Sequence, residues 1–447
     1  MRRRAMTGRP RRSGLIPELP RQAWVVLGGD FASAVGSGLT LPLLFIYAHQ
    51  VRHLSDGAAG LVVATIALAS LAGNPLGGVL ADQWTPRRAL MAGLAIAAAG
   101  SIALAMASTA TELFAAVGVL GLGVAVMWPA QDALLASLAG QAARSAVFAV
   151  RHAGLNAGLG VGALTAAAVI SVTDPATFTG VYLADAASFL VFIPVLARLR
   201  PAGPSAVEEP SCHPPAAAPR RTGLRTVLAD KAFVRVWALT AVLVTISFGQ
   251  SQGSFPGYAT RIGGISPHGL ALAFAANTLT VVAGQLVVLR WLGGRRRTTA
   301  VALAAAAWSA SWVIVIVGGQ LGSGAAATAA FVGAMIIFAV GECLLSPTLP
   351  AIVNDLAPPE SAGRYNGLGA LAFTTGFLLG PAGGGAALGA GWGSGLFAGL
   401  AAACAVAGVA ALRLRRHLPS AANLIPTAGR IEVSADEHSG AREMASA

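Results

Sequence analysis

The sequence contains few charged residues. Only 11% of its 447 residues are Asp, Glu, Lys or Arg, against about 25% in a typical soluble domain. Hydrophobic residues make up 55% of the chain, and the mean hydropathy is +0.69. A soluble protein of this composition would expose large apolar patches to water. The composition therefore excludes an ordinary soluble enzyme and indicates that lipid surrounds most of the chain.

Cysteine is also scarce, and the motifs of common enzyme classes are missing. Cys212, Cys343 and Cys404 form no CxxC or Cys/His pattern, so the sequence predicts neither a disulfide framework nor a zinc site. It has no nucleotide-binding Gly-Lys-Ser/Thr loop, no HExxH and no Gly-x-Ser-x-Gly, which are signatures of ATPases, zinc proteases and serine hydrolases. We therefore expect that the protein is not an enzyme, does not use ATP directly, and carries no cofactor or metal.

Long apolar runs, in contrast, fill the chain. Because about 20 apolar residues cross the ~30 Å hydrocarbon layer as a helix, we predict an all-α membrane protein with twelve transmembrane helices. A basic stretch precedes the first run, but the run is much longer than the apolar part of a signal peptide, so we interpret it as a retained helix. The predicted spans are 22–49, 57–81, 88–108, 112–138, 146–170, 178–199, 232–257, 268–291, 298–318, 323–350, 365–389 and 391–412.

Basic residues are distributed unevenly along these spans. With both termini in the cytoplasm, every basic residue except Arg52 and Arg261 lies in a cytoplasmic segment or within a few residues of the cytoplasmic end of a span. Because positively charged loops remain on the cytoplasmic side, the sequence predicts a multi-pass protein of the bacterial cytoplasmic membrane with both termini inside. This distribution accounts for the net charge of +12, and we expect no nucleic-acid partner.

The chain divides into two halves around a proline-rich stretch. A repeat supports the division, because Arg144 precedes Gly160 by the same 16 residues that separate Arg364 from Gly380. Two parallel halves of this kind place a substrate site between them at mid-membrane. The predicted regions are a basic cytoplasmic N-terminus (1–21), a six-helix half (22–199), a cytoplasmic Pro-rich linker (200–231), a second six-helix half (232–412) and a disordered cytoplasmic tail (413–447).

The loop between spans two and three carries a recognisable motif, made of Gly78, Asp82, Arg87 and Arg88. It resembles the signature loop of the major facilitator superfamily, and the resemblance covers essentially the whole chain. It implies a fold of two pseudo-symmetric six-helix halves. Within the motif, Gly78 would allow two helices to approach closely, and Asp82 would accept from a helix N-terminus in the other half. Arg87 and Arg88 would anchor the loop at the membrane surface. The corresponding loop of the second half keeps its arginines but has no acid.

Span five is rich in glycine and resembles the drug:proton antiporter group of that superfamily. Gly154, Gly158 and Gly162 recur every four residues, and Gly380-Pro381 stands in span eleven. Small residues at this spacing make a flat face on which helices can cross closely. The arginine that related exporters carry in span four is absent.

Ionisable residues inside the predicted spans are candidates for proton coupling or substrate binding, because burying such a group in a membrane is costly. Asp30 lies about 12 Å into span one, near the membrane middle. We interpret it as a carboxylate that carries protons or binds a cationic substrate, or alternatively as the structural partner of a neighbouring span. Asp185 and Glu342 have the same two interpretations. His152 is a candidate proton relay, unless it and Arg151 simply lie at the headgroup level.

Further polar residues predict a gate and a cavity. Asp132 is expected near Arg87 or Arg88, in an interdomain salt bridge that holds one gated state, and Arg144 and Arg364 occupy equivalent loops of the two halves. Neutral polar side chains in the spans are candidates for lining a mixed polar and apolar cavity. They are Asn156, Gln250, Gln252, Asn277 and Gln285.

The resemblance implies a secondary active transporter, powered by the proton gradient, that exports a small apolar or cationic compound by alternating access. We expect a monomer in the lipid bilayer whose partners are the small-molecule substrate and protons. A major facilitator transporter of a defined metabolite, such as a sugar, siderophore or amino acid, is the alternative. A membrane receptor or scaffold that does not transport is the third interpretation.

Overall fold

Helices account for most of the residues that the structure describes. The computed structural model describes residues 16–171, 173–199 and 223–426. Within these residues, eleven helices are long and apolar enough to cross a membrane.

One of the eleven helices supplies two spans. Ala110–Val169 has 60 residues and would be about 90 Å long if straight, roughly three times the hydrocarbon thickness. Gly140 interrupts it with φ 67° and ψ 171°, a backbone conformation that favours glycine. Asp132 and Arg151, on either side of Gly140, form an ion pair, so the chain folds back on itself. The described residues therefore form twelve spans, which confirms the predicted fold class.

The first six spans follow one another with short loops. Thr85 begins the third, because its hydroxyl accepts from the Arg88 N–H at 3.2 Å and a proline follows it. The spans are α1 (Arg21–Val51), α2 (Asp56–Gln83), α3 (Pro86–Met106), α4 (110–139), α5 (141–169) and α6 (Pro175–Ala197).

The second six spans repeat this arrangement with two interrupted helices. The first of them breaks at Ser247 and Gly253, and the fourth breaks between Leu345 and Leu349. The spans are α7 (231–261), α8 (Pro267–Leu292), α9 (Arg297–Gln320), α10 (Ala325–Leu356), α11 (Ala362–Gly389) and α12 (Gly393–Leu414).

Each set of six spans has its own apolar core. One core lies between residues 23 and 196, with Ala351 added from α10. The other lies between residues 227 and 425. We call the two sets the N-half and the C-half.

The segments outside the spans differ in part from the prediction. A short helix, Leu224–Ala229, lies within the predicted linker, and residues 413–426 of the predicted disordered tail are folded against the C-half. The tail prediction was wrong there because the segment finds backbone partners in a loop of the C-half, which composition cannot reveal. Residues 1–15, 200–222 and 427–447 of the predicted end regions and linker lie outside the described residues.

One end of the bundle carries the arginine-rich loops. Because successive spans alternate in direction, the loops at 84–85, 140, 293–296 and 357–361 lie at the same end. We call it the basic end, and the other the opposite end. Its arginines include Arg87, Arg88, Arg144, Arg295, Arg296 and Arg364.

Two of the three glycines repeated in α5 lie where this helix crosses α1. A Cβ added to Gly158 would lie 2.7 Å from the Ala34 Cβ, and one added to Gly162 would lie 2.8 Å from the Gly38 Cα. Gly154 faces open space, so the crossing does not include it. In the C-half, a Cβ on Gly380 would lie 2.6 Å from the Gly249 Cα. The neighbouring Pro381 packs against Gly253 of α7 in the same way.

We predict that Gly162→Ala destabilises the protein while Gly154→Ala does not. The added methyl of Gly162→Ala would meet the backbone of α1, and overpacking of this kind costs about 1–3 kcal/mol of unfolding free energy. Gly154→Ala adds a methyl in open space and removes a flexible residue from a helix, a gain of about 0.5–1 kcal/mol. Thermal denaturation of the two variants in detergent measures the difference. Equal melting temperatures would contradict this packing of α1 against α5.

Candidate functional site

A carboxylate of the N-half closes one contact with the C-half at the basic end. Asp82, at the end of α2, accepts from the backbone N–H groups of Gly363 at 2.6 Å and Arg364 at 3.0 Å. The Arg364 guanidinium donates to the same carboxylate at 2.8 Å. An anion at a helix N-terminus also interacts favourably with the helix dipole. The carboxylate therefore holds the start of α11 through three charge-assisted hydrogen bonds.

Close backbone approach accompanies this contact. Gly78 lies one turn before Asp82, and a Cβ on it would meet the Gly363 carbonyl and lie 3.1 Å from the Gly367 Cα. Farther from the basic end, Asn74 donates to Thr374 at 2.8 Å. The α2–α11 seam therefore needs a glycine at position 78, in agreement with the close helix approach that the motif implies.

A second inter-half contact uses an acid that the sequence analysis did not identify. Asp355, at the end of α10, binds the guanidinium groups of both Arg144 of the N-half and Arg297 of the C-half. Arg144 also donates to the Asn354 carbonyl at 3.1 Å, and Arg297 donates to Ser145 at 3.3 Å. The arginine-rich loop of the second half has no acid of its own, and α10 supplies one. The 0% exposure of the Asp355 side chain means that both ion pairs are shielded from water.

The expected partner of Asp132 was wrong. Asp132 binds Arg151 of α5 at 2.5 Å within the N-half, because the reversal at Gly140 brings the two helices side by side. Arg87 instead donates to the Leu199 carbonyl, also within the N-half, and the Arg88 side chain is exposed.

Arg151 joins a buried carboxylate, Asp30, to a partly buried one, Asp132. Its Nε lies 3.2 Å from Asp30 Oδ2, its Nη1 binds Asp132, and its guanidinium carbon lies 5.0 Å from the centre of the Trp128 ring. The residues Asp30 and Arg151 are 4% and 6% exposed, so the Arg151 side chain lies in the interior of the N-half and not on its surface. We call Asp30, Asp132 and Arg151 the charge cluster. Arg151 lies five residues inside predicted span five, and this position of a charged residue was the signal in the sequence that it belongs to a buried site.

A second polar group crosses between the halves next to the charge cluster. His152 Nε2 of α5 lies 3.5 Å from Glu342 Oε2 of α10. Asn277 of α8 donates to the other oxygen of Glu342 at 2.8 Å, and Asn156 donates to the His152 carbonyl at 3.0 Å. Four of the predicted site residues therefore meet where α5, α8 and α10 come together.

The remaining predicted residues do not join these two groups. Asp185 is 1% exposed and accepts from Ser101 of α3 at 2.8 Å, inside the N-half. Gln250 donates to the Gly380 carbonyl at 2.8 Å, where it fastens α7 to α11.

Two further glutamines complete the predicted set. Gln285 donates to the Cys343 carbonyl at 3.1 Å and accepts from Ser346 at 3.0 Å, between α8 and α10. Gln252 is exposed. Gln250 and Gln285 therefore hold helices together inside the C-half.

Comparison with known proteins agrees with this architecture. The family model "Major Facilitator Superfamily" matches residues 26–263 and 253–436. An uncharacterized MFS-type transporter of Bacillus subtilis, YttB, is 28% identical over 379 residues, which are 82% of this chain and 88% of that protein. The multidrug resistance protein MdtH of Aeromonas salmonicida is 24% identical over 375 residues, 81% of this chain and 86% of that one.

Solved structures show the same fold. A bacterial homologue of the iron transporter ferroportin, in the outward-facing state, superposes with a TM-score of 0.73 at 15% identity, over 89% of this chain and all of that one. The transporter FucP in the outward conformation gives a TM-score of 0.69 at 13% identity, over 88% of this chain and 98% of that one. With the family model matched along both halves, the chain belongs to the major facilitator superfamily and is a multi-pass membrane transport protein.

Proposed function

We propose that the protein is a proton-coupled exporter of small apolar or cationic compounds, which acts as a monomer in the bacterial cytoplasmic membrane by alternating access. The observation that carries the proposal is the charge cluster. Two carboxylates there share one guanidinium, so the ionised cluster has a net charge of −1, and the Asp30 and Arg151 side chains are only 5% and 7% exposed. An uncompensated buried charge is strongly unfavourable, and binding of one proton removes it.

The position of the charge cluster suits a transporter that must release this proton again. Asp30 and Asp132 both contact Arg151, so a proton on one carboxylate leaves the guanidinium paired with the other. Each protonation state then has a distinct hydrogen-bond arrangement among α1, α4 and α5. A conformational change follows from a ligand only if the ligand interacts differently with the two states, and this rearrangement provides the difference.

Helix α5 connects the charge cluster to the interface between the halves. Arg151 and His152 are consecutive, and one contacts carboxylates of the N-half while the other contacts Glu342 of the C-half. A shift of α5 that accompanies protonation of the charge cluster would therefore alter the contact with Glu342. We infer that this turn of α5 links proton binding to separation of the halves.

The described state is closed at its basic end. Asp82 and Asp355 both join the halves there, and we infer from the arginine-rich loops that this end faces the cytoplasm. The structure would then correspond to an outward-facing state. Opening toward the cytoplasm requires both carboxylates to release their partners in the other half.

We predict that Glu342→Ala slows transport about tenfold. The variant removes the carboxylate that His152 and Asn277 contact, and a hydrogen bond to a charged group contributes about 1.5–3 kcal/mol. Glu342→Gln keeps an acceptor oxygen and should lose less. Initial transport rates in proteoliposomes measure both variants, and Gln285→Ala serves as the control inside the C-half. If Glu342→Ala transports at the wild-type rate, the contact across the halves has no part in the cycle.

Transport in proteoliposomes tests the proposed function. The reconstituted protein is given an imposed pH gradient and a panel of fluorescent lipophilic cations and neutral apolar compounds. We expect at least one compound to accumulate against its gradient while the pH gradient lasts, and to leak back when an ionophore collapses it. Accumulation that ignores the pH gradient would contradict proton coupling. Transport of sugars or amino acids alone would favour the defined-metabolite alternative.

A further inference from the structure

The chain beyond α12 folds back onto the basic end of the C-half. Residues 418–426, which we call the C-terminal segment, pair with the loop between α8 and α9. The Gly294 N–H donates to the Ile425 carbonyl at 2.8 Å, and the Ile425 N–H donates to the Arg295 carbonyl at 2.9 Å. Ala422 and Ile425 are 1% and 2% exposed, so the C-terminal segment is part of the folded C-half.

The C-terminal segment also completes the start of α9. The first turn of a helix has N–H groups without partners inside the helix, and Arg296, which precedes α9, gives it no side-chain cap. Asn423 supplies the missing acceptor, because its side-chain oxygen accepts from the Thr298 N–H at 2.9 Å. The Ala422 carbonyl accepts from the Arg297 guanidinium at 2.9 Å.

Arg297 connects the C-terminal segment to the closed contact between the halves. The residue is fully buried, and its Nη1 donates both to the Ala422 carbonyl and to Asp355. Asp355 in turn binds Arg144 of the N-half. A continuous series of hydrogen bonds therefore runs from the C-terminal segment to the other half.

We propose that the C-terminal segment favours the state closed at the basic end by holding Arg297 in position for Asp355. Without the Ala422 carbonyl and the Asn423 cap, the Arg297 guanidinium loses one acceptor and the first turn of α9 loses another. Asp355 is then held less firmly where Arg144 meets it, and the closed contact weakens. The inference rests on alternating access in the proposed function, but not on proton coupling or on any substrate.

Distances between spin labels test the inference without substrate or pH gradient. In a background free of cysteine, the pair Gln141→Cys and Glu360→Cys reports the basic end, and Met106→Cys with Leu321→Cys reports the opposite end. All four positions are exposed. Truncation after Pro419 should lower the ratio of closed to open molecules at the basic end about tenfold, with a matching shortening at the opposite end.

Three controls separate this role from loss of folding. Truncation after residue 426 keeps the C-terminal segment and should leave both distance distributions unchanged. Asn423→Ala should produce part of the shift with the chain intact, while Asn423→Asp keeps the acceptor and should restore the closed state. Arg297→Gln should reproduce the shift of the truncation after Pro419, and that truncation should then add nothing further. Unchanged distances after truncation, or an equal further shift in the Arg297→Gln background, would overturn the proposal.

Discussion

Proteoliposomes that contain Asp30→Asn are expected to move substrate down its own gradient but not to accumulate it against that gradient. Asn cannot bind and release a proton, and its substitution leaves Arg151 paired with Asp132 alone. The charge cluster is then neutral without a bound proton, so the excess charge that a proton would cancel is gone. Each unit of pH difference supports about a tenfold accumulation for each proton exchanged, and this ratio should fall to about one in the variant.

The matched control for Asp30→Asn is Asp185→Asn. Asp185 is as deeply buried in the N-half, but its contacts are a serine of α3 and the helices around it rather than Arg151. It should keep the wild-type accumulation ratio if it remains folded. If Asp30→Asn still accumulates substrate in response to the pH gradient, the proton does not bind at the charge cluster. If Asp185→Asn in addition loses this accumulation, Asp185 is the better candidate for the proton site.

Asp82→Asn should have the second largest effect, on the closure of the basic end. The substitution removes the charge that faces the Arg364 guanidinium and the first N–H groups of α11. Hydrogen bonds to a charged group contribute about 1.5–3 kcal/mol, so the ratio of closed to open molecules should fall by about tenfold or more. Because transport needs both the state closed at the basic end and the state open there, the transport rate should also fall by about tenfold. Transport assays and spin-label distances at the basic end measure the two effects.

A chemically similar carboxylate at the opposite end provides the control. Glu112 accepts from the backbone N–H groups of Ser108 and Thr109, at 2.7 and 3.1 Å, so it also caps a helix start. Its contacts stay within the N-half. Glu112→Gln should lower helix stability slightly and leave the closed fraction unchanged. If the two variants shift the distances equally, the Asp82 contact is not a gate.

The span number and the contact of Asp82 with a helix start in the other half could be predicted from the sequence, because both depend on local information. A span must contain about 20 apolar residues whatever it packs against, and the residues around Asp82 carry their family motif within one loop. The superfamily fold followed from these two signals. The reversal at Gly140 lies between two predicted spans, because the length of each apolar run already fixed where one span ends and the next begins.

The partners of the buried charges could not be predicted, because they depend on how helices rotate and which faces meet. Asp132 pairs with Arg151 only because α4 and α5 lie antiparallel at that depth. Asp355 of α10 binds Arg297, at the end of a loop that has no acid of its own. The spacing of residues within that loop could not indicate a partner from another helix. Gln250 satisfies backbone groups inside its own half, although amide side chains in a span are equally suited to a cavity.

The central claim is that substrate movement and proton movement are coupled through the charge cluster. The most direct test is to drive transport with a substrate gradient alone and to record the proton flux across the same proteoliposomes. We expect substrate leaving a vesicle to draw protons in the opposite direction, and the Asp30→Asn variant to move substrate with no proton flux. Substrate movement without protons in the wild-type protein, or an undiminished proton flux in the variant, would contradict the account.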